Sequence, residues 1–192
     1  PHALAIRAEV PVDSSRFDFL VETRNQYIII EVKSCTLSEF GVAMFPDAAT
    51  QRGRRHLNEL AALSGSTRNG KPVATRVMFI ITHGSPLRFV PHLHADPDFA
   101  ITLRDVSKSV SIDAFSVEVN ADGSISAEPK RVPVAENVAD LAIENRGVYL
   151  AILEIAEPRD IEIGALGDIV FASGWYVYVG SAKRNLLQRT AR

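Results

Sequence analysis

The chain has 192 residues, a net charge of −2 and 46% hydrophobic residues, as expected of a folded globular protein. These values argue against a disordered chain and against a wholly basic nucleic-acid-binding protein, although a local basic patch would be hidden in the sum. No segment approaches the roughly 18 apolar residues of a membrane span, and the first residues lack the pattern of a signal peptide. Cys35 is the only cysteine, which excludes an internal disulfide and indicates a reducing compartment, so we expect a cytoplasmic protein.

Seven segments of the first 120 residues have the residue spacing of strands or helices. Three strand patterns rich in Ile, Val, Phe and Tyr come first, and helical spacing follows from Asp47 until Gly65 would end it. In chain order the predicted elements are strands at 6–10, 16–22 and 27–33, a helix at 47–63, a strand at 75–82, a helix at 96–106 and a strand at 110–119. This order predicts an α/β fold in which helices flank a mixed central sheet.

The last third of the chain has a pattern of its own. A polar, proline-containing stretch is followed by two apolar strand patterns and the start of a basic helix, at 147–155, 174–181 and 182–192. The predicted organisation is a first domain at 1–135, a linker at 136–146 and a partial second α+β module at 147–192. Because the chain begins with Pro1, we expect it to be a fragment of a longer protein.

Charged residues interrupt the second and third strand patterns where apolar residues would be expected. If these strands form a hairpin that turns at Arg24 and Asn25, with Asn25 at positive φ, Asp18 falls directly opposite Glu31. Like charges in such a pair destabilise a sheet, so the placement favours a cation between the two carboxylates. A divalent metal held by one or two carboxylates is the usual arrangement for Mg²⁺.

Lys33 follows Glu31 on the same face of its strand, because side chains alternate along a strand. An ammonium group there would orient an attacking water or neutralise charge at a phosphorus atom. The alternative is an exposed, charged sheet edge. A second Glu-x-Lys triplet at 128–130, in a polar segment without a strand pattern, shows that the triplet alone carries little weight.

Six segments of the first half then carry a family resemblance. They are RAEV, SRFDF, EVKSCTL, MFPDAATQRGRRHLNEL, RVMFIIT and DPDFA, in collinear order. Along roughly residues 1–120 the chain resembles the sugar fermentation stimulation protein A (SfsA) family, which is similar to PD-(D/E)xK nucleases. The resemblance implies a restriction-endonuclease-like fold and a Mg²⁺- or Mn²⁺-dependent phosphodiesterase acting on DNA.

The same resemblance assigns roles to residues of the predicted hairpin. It implies that Asp18, Glu31 and Lys33 fill the metal-binding and catalytic places of the superfamily. The carbonyl of Val32 is a further candidate ligand, and Glu9 on the preceding strand would touch the metal through water. For Glu9, a surface salt bridge stays open as the alternative.

The predicted helix after Asp47 carries Arg52, Arg55 and His56. Arg52 and His56 lie four residues apart and share a helix face, where both would meet a phosphate backbone. A solvated basic face is the alternative, and the family resemblance favours phosphate contact.

Three other residues invite a functional interpretation that the sequence does not favour. His92 and His94 suggest zinc, but two imidazoles without a third ligand at fixed spacing favour a loop before a helix cap at Asp96. Cys35, beside the candidate site, is expected to be a small core residue.

The C-terminal segment resembles a second nuclease family, GIY-YIG, through Gly147-Val148-Tyr149, Tyr178-Val179-Gly180 and Arg189. The resemblance implies that Tyr149 and Tyr178 order a water molecule and that Arg189 binds a phosphate. We expect a truncated module that contributes no cleavage. Ordinary apolar strands around glycine turns are the alternative.

Two other functions stay open at this point. The chain would serve as a non-catalytic DNA-binding or regulatory protein of sugar metabolism if its metal site only held phosphate. RNA or a small nucleotide is an alternative substrate to DNA. A single sequence does not distinguish these substrates, because it does not reveal the contacts to bases.

Overall fold

The computed structural model describes residues 2–12, 15–82, 85–125, 128–135 and 145–190. The chain divides into two compact units, Pro1–Asp140 and Leu141–Arg192. Most of the predicted linker at 136–146 lies outside the described residues. No helix in the described part of the chain is long and apolar enough to cross a membrane.

The first unit is built mainly of strands. Its described elements are β1 (Ala5–Val12), β2 (Ser15–Glu22), β3 (Tyr27–Cys35), β4 (Leu37–Glu39), β5 (Val42–Phe45), α1 (Gln51–Leu63), β6 (Thr67–Arg68), β7 (Lys71–Ile81), β8 (Arg88–Pro91), α2 (Pro97–Val106), β9 (Ser111–Ser116) and β10 (Lys130–Val132). The seven predicted elements are all present, with shifted ends. Strands β4, β5, β6, β8 and β10 were not predicted, and Lys130 of the second Glu-x-Lys triplet begins β10.

A mixed sheet forms the centre of this unit, with strand order β1-β2-β3-β7-β9-β10 and β6 paired to β7. The first three strands are an antiparallel meander, whereas β3, β7 and β9 run parallel to one another. The odd-numbered positions of β7 from Val73 to Ile81 are buried, and so are those of β3 from Tyr27 to Glu31. The predicted α/β fold with a mixed central sheet is confirmed.

The β2–β3 hairpin has the predicted register, since Phe19 pairs with Ile30 and Glu22 with Tyr27. The predicted conformation of its turn is wrong, because Asn25 does not adopt a positive φ. Thr23 organises the turn instead: its amide and its hydroxyl both donate to the carbonyl of Gln26 at 2.9 Å. A side-chain hydrogen bond thus replaces the backbone conformation expected of the loop.

Helix α1 begins at Gln51 rather than Asp47, because Thr50 acts as its N-cap. The Thr50 hydroxyl accepts a hydrogen bond from the Gly53 amide at 3.0 Å. The buried side of the helix consists of Gly53, His56, Leu57 and Leu60. The prediction that His56 lies on the exposed polar side is therefore wrong, since the residue is 2% exposed.

A second, three-stranded sheet of β4, β5 and β8 contacts both α2 and the central sheet. Four phenylalanines meet there: Phe79 stacks on Phe89 with ring centroids 4.3 Å apart, and Phe45 meets Phe99 of α2 edge-on at 5.3 Å. Aromatic pairs at these separations stabilise a core beyond the area they bury. This cluster fixes α2 against β5, β7 and β8.

Asp96 ties the two helices together. It caps α2 by accepting from the Phe99 amide at 2.9 Å, and it accepts from the Thr50 amide at 2.7 Å and the Arg54 guanidinium at 2.7 Å. The predicted cap at Asp96 is confirmed. Residues 92–95 form the loop before it, in which His92 Nδ1 contacts the Pro46 carbonyl at 3.0 Å.

In its described residues, 145–190, the second unit contains short antiparallel pairs and one short helix. Its elements are β11 (Gly147–Ile155), β12 (Arg159–Glu162), a 3₁₀ turn (Gly164–Leu166), β13 (Asp168–Phe171), β14 (Gly174–Ala182) and α3 (Leu186–Thr190). Strand β11 pairs with β14, and β12 pairs with β13. Val148, Leu150 and Ile152 share one face of β11 with Val177 and Val179 of β14, and all five are more than half exposed.

We expect Asp96→Asn to lower the free energy of unfolding at pH 7 by about 1–3 kcal/mol, since one side-chain oxygen cannot replace the two acceptors of the carboxylate. Burial alone would raise the pKa of Asp96, but the Thr50 and Phe99 amides and Arg54 hold it below its ordinary value. This contribution is therefore complete above the unfolded pKa of about 3.9 and is lost as the pH falls through the folded pKa.

Urea unfolding between pH 7 and pH 2 measures this effect. The variant should show a smaller loss of stability than the parent below about pH 4. Asp98→Asn is the matched control in the first turn of the same helix, because the Asp98 side chain is 73% exposed and should change stability little. Equal effects of the two substitutions would contradict the role assigned to Asp96.

Candidate functional site

Glu31 lies at the centre of the candidate site, on β3, with 4% of its surface exposed. Its Oε1 atom is 2.5 Å from Lys33 Nζ and 2.5 Å from His56 Nδ1. Lys33 comes from the same strand, as the alternation of side chains predicted, and His56 comes from α1. Two positively polarised groups therefore stabilise the negative charge of this buried carboxylate.

The second carboxylate oxygen of Glu31, Oε2, differs from Oε1 in its hydrogen bonding. Oε2 is buried and receives no hydrogen bond from any residue that the structure describes. A buried carboxylate oxygen without a partner costs free energy, and a native protein offsets such a cost through a ligand, water or ion. The geometry thus fits a cation at Oε2.

Asp18 is held beside Glu31 by the backbone of β3. The β2–β3 ladder ends at Phe19 and Ile30, and beyond it the Val32 amide donates to Asp18 Oδ2 at 2.6 Å. The amide and the carbonyl of a strand residue point to the same neighbour, so the Val32 carbonyl lies on the edge that Asp18 occupies. Asp18 therefore lies against the backbone of Val32, the residue that follows Glu31 on β3.

The structure modifies the reason given for a cation. The sequence predicts two opposed carboxylates that repel each other, but Lys33 and His56 already compensate Glu31, and the Val32 amide compensates Asp18. Repulsion alone therefore does not require a metal. The unpartnered Glu31 Oε2 carries that inference instead.

Glu9 occurs where β1 passes Asp18. Its φ of 54° is unusual for a strand residue, and the β1–β2 register skips it between Ala8 and Val10. Its side chain lies 3.6 Å from Arg16, and both side chains are 67% exposed. This surface ion pair is the alternative that the sequence left open for Glu9.

The basic residues of α1 separate into three groups. Arg52 and Arg55 are exposed, and Arg55 forms a long i,i+4 contact with Glu59 at 3.8 Å. Arg54 is bound to Asp96, and His56 is bound to Glu31. Of the three predicted phosphate contacts, the structure leaves Arg52 and Arg55 accessible and buries His56.

Sequence reasoning missed the contact between His56 and Glu31. The signal was present, because Gly53, His56, Leu57 and Leu60 follow the i, i+3, i+4, i+7 spacing of a buried helix face. Classifying His56 by its polarity rather than by its place in that spacing assigned it to the wrong side.

Within the described residues, no group of three or more His, Cys, Asp or Glu side chains is placed to hold a metal ion. This is compatible with Mg²⁺, which commonly takes only one or two carboxylates and keeps several waters. Cys35 is an unsuitable ligand, because burial raises the pKa of its thiol to about 11. Its prediction as a small core residue is confirmed, since it is fully buried.

In the second unit, the three predicted residues lie near one another. The rings of Tyr149 and Tyr178 have centroids 6.2 Å apart, and Arg189 Nη1 donates to the Ser181 carbonyl at 2.9 Å. A cavity on this unit is lined by residues that include Tyr178, Arg189 and two further cations, Lys183 and Arg184. The cluster is therefore basic and open to solvent.

Comparison with known proteins gives two family matches. A family model described as the sugar fermentation stimulation protein RE domain matches residues 2–123. A second model, described as a domain of unknown function, DUF123, matches residues 148–192.

Individual relatives agree with the first match. The sugar fermentation stimulation protein homologue of Thermotoga petrophila is 36% identical over 134 residues, which cover 69% of this chain and 55% of the homologue. The homologue of Carboxydothermus hydrogenoformans is 40% identical over 119 residues, or 62% of this chain and 49% of the homologue. The chain thus spans about half the length of the curated relatives it matches.

A solved structure also matches. Pyrococcus furiosus SfsA, described in complex with Ca²⁺, superposes with a TM-score of 0.58 and 32% sequence identity. The match covers 67% of this chain and 54% of that protein.

We expect Glu31→Ala to destabilise the metal-free protein by about 3 kcal/mol, because it leaves the Lys33 ammonium and His56 without their acceptor in a buried position. Glu118→Ala is the control: it removes an exposed contact of 4.0 Å with Lys130 and should cost about 0–1 kcal/mol. Chemical unfolding in the presence of a chelator measures both. Similar losses in the two variants would show that Glu31 does not stabilise the fold.

Proposed function

Because the chain belongs to the sugar fermentation stimulation protein family, we propose that its first unit is a metal-dependent phosphodiesterase that acts on DNA. The observation that carries this proposal is Glu31 Oε2, a buried carboxylate oxygen that no described residue satisfies. Asp18 lies beside it, fixed through one oxygen by the Val32 amide. Two oriented carboxylates with oxygen atoms left for a ligand are a suitable site for a divalent cation.

The relatives support a divalent ion independently of this geometry. The Pyrococcus furiosus protein is described in complex with Ca²⁺, an ion that takes oxygen ligands as Mg²⁺ does. We propose that Asp18 and Glu31 hold Mg²⁺ or Mn²⁺ in this chain, with the Val32 carbonyl as a further ligand. The exposed ion pair with Arg16 makes Glu9 a weaker candidate, acting through water.

Each residue would have a defined part in the reaction. A bound Mg²⁺ would polarise a phosphate oxygen and lower the pKa of a coordinated water. Asp18 and Glu31 orient the site, because each is fixed by a hydrogen bond to one of its oxygens. Lys33 Nζ, 2.5 Å from Glu31 Oε1, would place a positive charge beside a bound phosphate and orient the attacking water.

The exposed arginines of α1 give the site a place for the DNA backbone. Arg52 and Arg55 lie on the same helix as His56, which touches Glu31. We propose that both arginines bind phosphates next to the scissile bond, since contacts of this kind position a duplex without reading its sequence. RNA would satisfy the same contacts, so the test below includes it.

A second candidate function is a DNA-binding regulator without turnover. One observation favours it: Lys33 is already bound to Glu31, as expected if its role were to neutralise that charge. For the second unit we propose that Arg189 binds a phosphate and that Tyr149 and Tyr178 order a water molecule, without cleavage. The single, buried and reduced Cys35 supports a cytoplasmic location.

We expect Asp18→Asn to abolish Mg²⁺-dependent nicking of plasmid DNA while leaving the melting temperature nearly unchanged. The asparagine oxygen still accepts from the Val32 amide, so only the charge is lost. Asp122→Asn is the matched control, because Asp122 also accepts from a backbone amide, that of Ser124 at 2.9 Å, but in an exposed turn. Plasmid and a labelled RNA serve as parallel substrates.

The outcomes separate the candidate functions. Loss of nicking in Asp18→Asn but not in Asp122→Asn supports the phosphodiesterase. Undiminished nicking in Asp18→Asn would place cleavage elsewhere, including the second unit. DNA binding without nicking in the parent chain would support the regulator instead.

We also expect Arg52→Ala to weaken DNA binding and to reduce its salt dependence by about one phosphate contact, without changing the melting temperature. Arg24→Ala is the control, since Arg24 is also an exposed arginine. It lies six residues from Asp18 along the hairpin, which corresponds to roughly 20 Å. Fluorescence anisotropy from 50 to 200 mM salt measures both variants. An early-melting Arg52→Ala, or equal losses in both, would contradict the phosphate role.

A further inference from the structure

His56 is a buried polar residue that the proposed chemistry does not use. Its side chain is 3% exposed, its Nδ1 atom is 2.5 Å from Glu31 Oε1, and its ring centroid lies 5.8 Å from that of Phe17. Because an ionised carboxylate only accepts hydrogen bonds, Nδ1 carries a proton and donates a hydrogen bond to Glu31 Oε1. This gives the direction of the bond.

The two donors to Glu31 differ in what they fix. Lys33 lies on the same strand as Glu31 and moves with it. His56 comes from a different element, α1, whose N-terminus is capped by Thr50. Only the bond from His56 therefore fixes the Glu31 carboxylate relative to the helix layer.

The placement of both donors on one oxygen has a direct consequence. With Lys33 and His56 on Oε1, the plane of the Glu31 carboxylate is fixed, and Oε2 is left buried without a donor among the described residues. Were His56 absent, the side chain would lose the constraint that keeps this oxygen directed at the site. A group that orients a ligand of a metal in this way typically alters metal affinity 10–100-fold when it is removed.

We propose that His56 is a positioning residue, which holds the Glu31 carboxylate so that Oε2 is presented to the divalent cation. This inference rests on the proposed metal site and replaces the surface phosphate contact expected from the sequence. His56 touches neither metal nor DNA. It acts through Glu31.

Manganese binding to the full chain tests this proposal without reference to cleavage. Isothermal titration calorimetry, or the electron paramagnetic resonance signal of free Mn²⁺, gives the dissociation constant of the parent and of His56→Leu, His56→Asn and His56→Gln. Asparagine places its amide close to the position of Nδ1, whereas glutamine places its amide near that of Nε2. We expect affinity to fall about 10–100-fold in His56→Leu and His56→Gln and to recover in His56→Asn.

Leu60→Ala is the structural control, because Leu60 lies one turn further along the same buried face. It should lower the melting temperature by creating a cavity while leaving Mn²⁺ affinity as it is in the parent. A purely structural role for His56 predicts instead that affinity follows stability, with Leu60→Ala weakened as much as His56→Leu.

Each result has a defined meaning. Parent-like affinity in His56→Leu, or no difference between His56→Asn and His56→Gln, would overturn the positioning role while leaving the metal site intact. Absence of Mn²⁺ binding by the parent would overturn the proposed function and this inference together. If His56→Leu does not fold, the comparison of asparagine with glutamine decides alone, since both keep a polar side chain at the position.

Discussion

The central interaction of the first unit is the pairing of the buried Glu31 carboxylate with Lys33 and His56. A charge with 4% of its residue exposed is unfavourable unless it is paired and hydrogen-bonded, and here Lys33 and His56 supply both conditions. His56 belongs to α1, so the compensation of one strand residue requires the helix to pack where it does. The packing of α1 and the burial of the Glu31 charge are therefore linked through His56.

Regular backbone pairing between the strands is interrupted at the level of Glu31. Glu9, Asp18 and Glu31 would be neighbours across β1, β2 and β3, yet no bridge joins them: Glu9 has a positive φ, and Asp18 bonds the Val32 amide with its side chain. Sheet edges and interruptions leave backbone groups available for other partners. The candidate site thus lies where the ladder is interrupted.

Much of the fold follows from local pattern. The alternation of β2 and β3 predicted their register, and the paired residues from Phe19–Ile30 to Glu22–Tyr27 follow it. Strands β4, β5 and β8 have three or four residues each, too short for periodicity to reveal them. The turn at Asn25 was predicted from backbone preference, whereas the Thr23 side chain determines it.

The site was less predictable than the fold for a different reason. Helical spacing places His56 inside, while its polarity suggested the surface, and only a partner on another element could decide between them. That partner, Glu31, is 25 residues away in sequence. Arg54 shows the same dependence, since its contact with Asp96 spans 42 residues. Contacts of this range are properties of packing, which single-segment patterns do not contain.

The second unit differs from the first in how its strands are covered. Val148, Leu150 and Ile152 of β11 and Val177 and Val179 of β14 form an apolar face that is more than half exposed, while β3 and β7 are buried in a seven-stranded sheet. Two-stranded pairs have marginal stability without a covering layer. Local opening therefore costs less free energy in β11 and β14 than in β3 and β7. In deuterated water, the amides of the second unit would exchange first, and those around Glu31 would be among the last to be labelled.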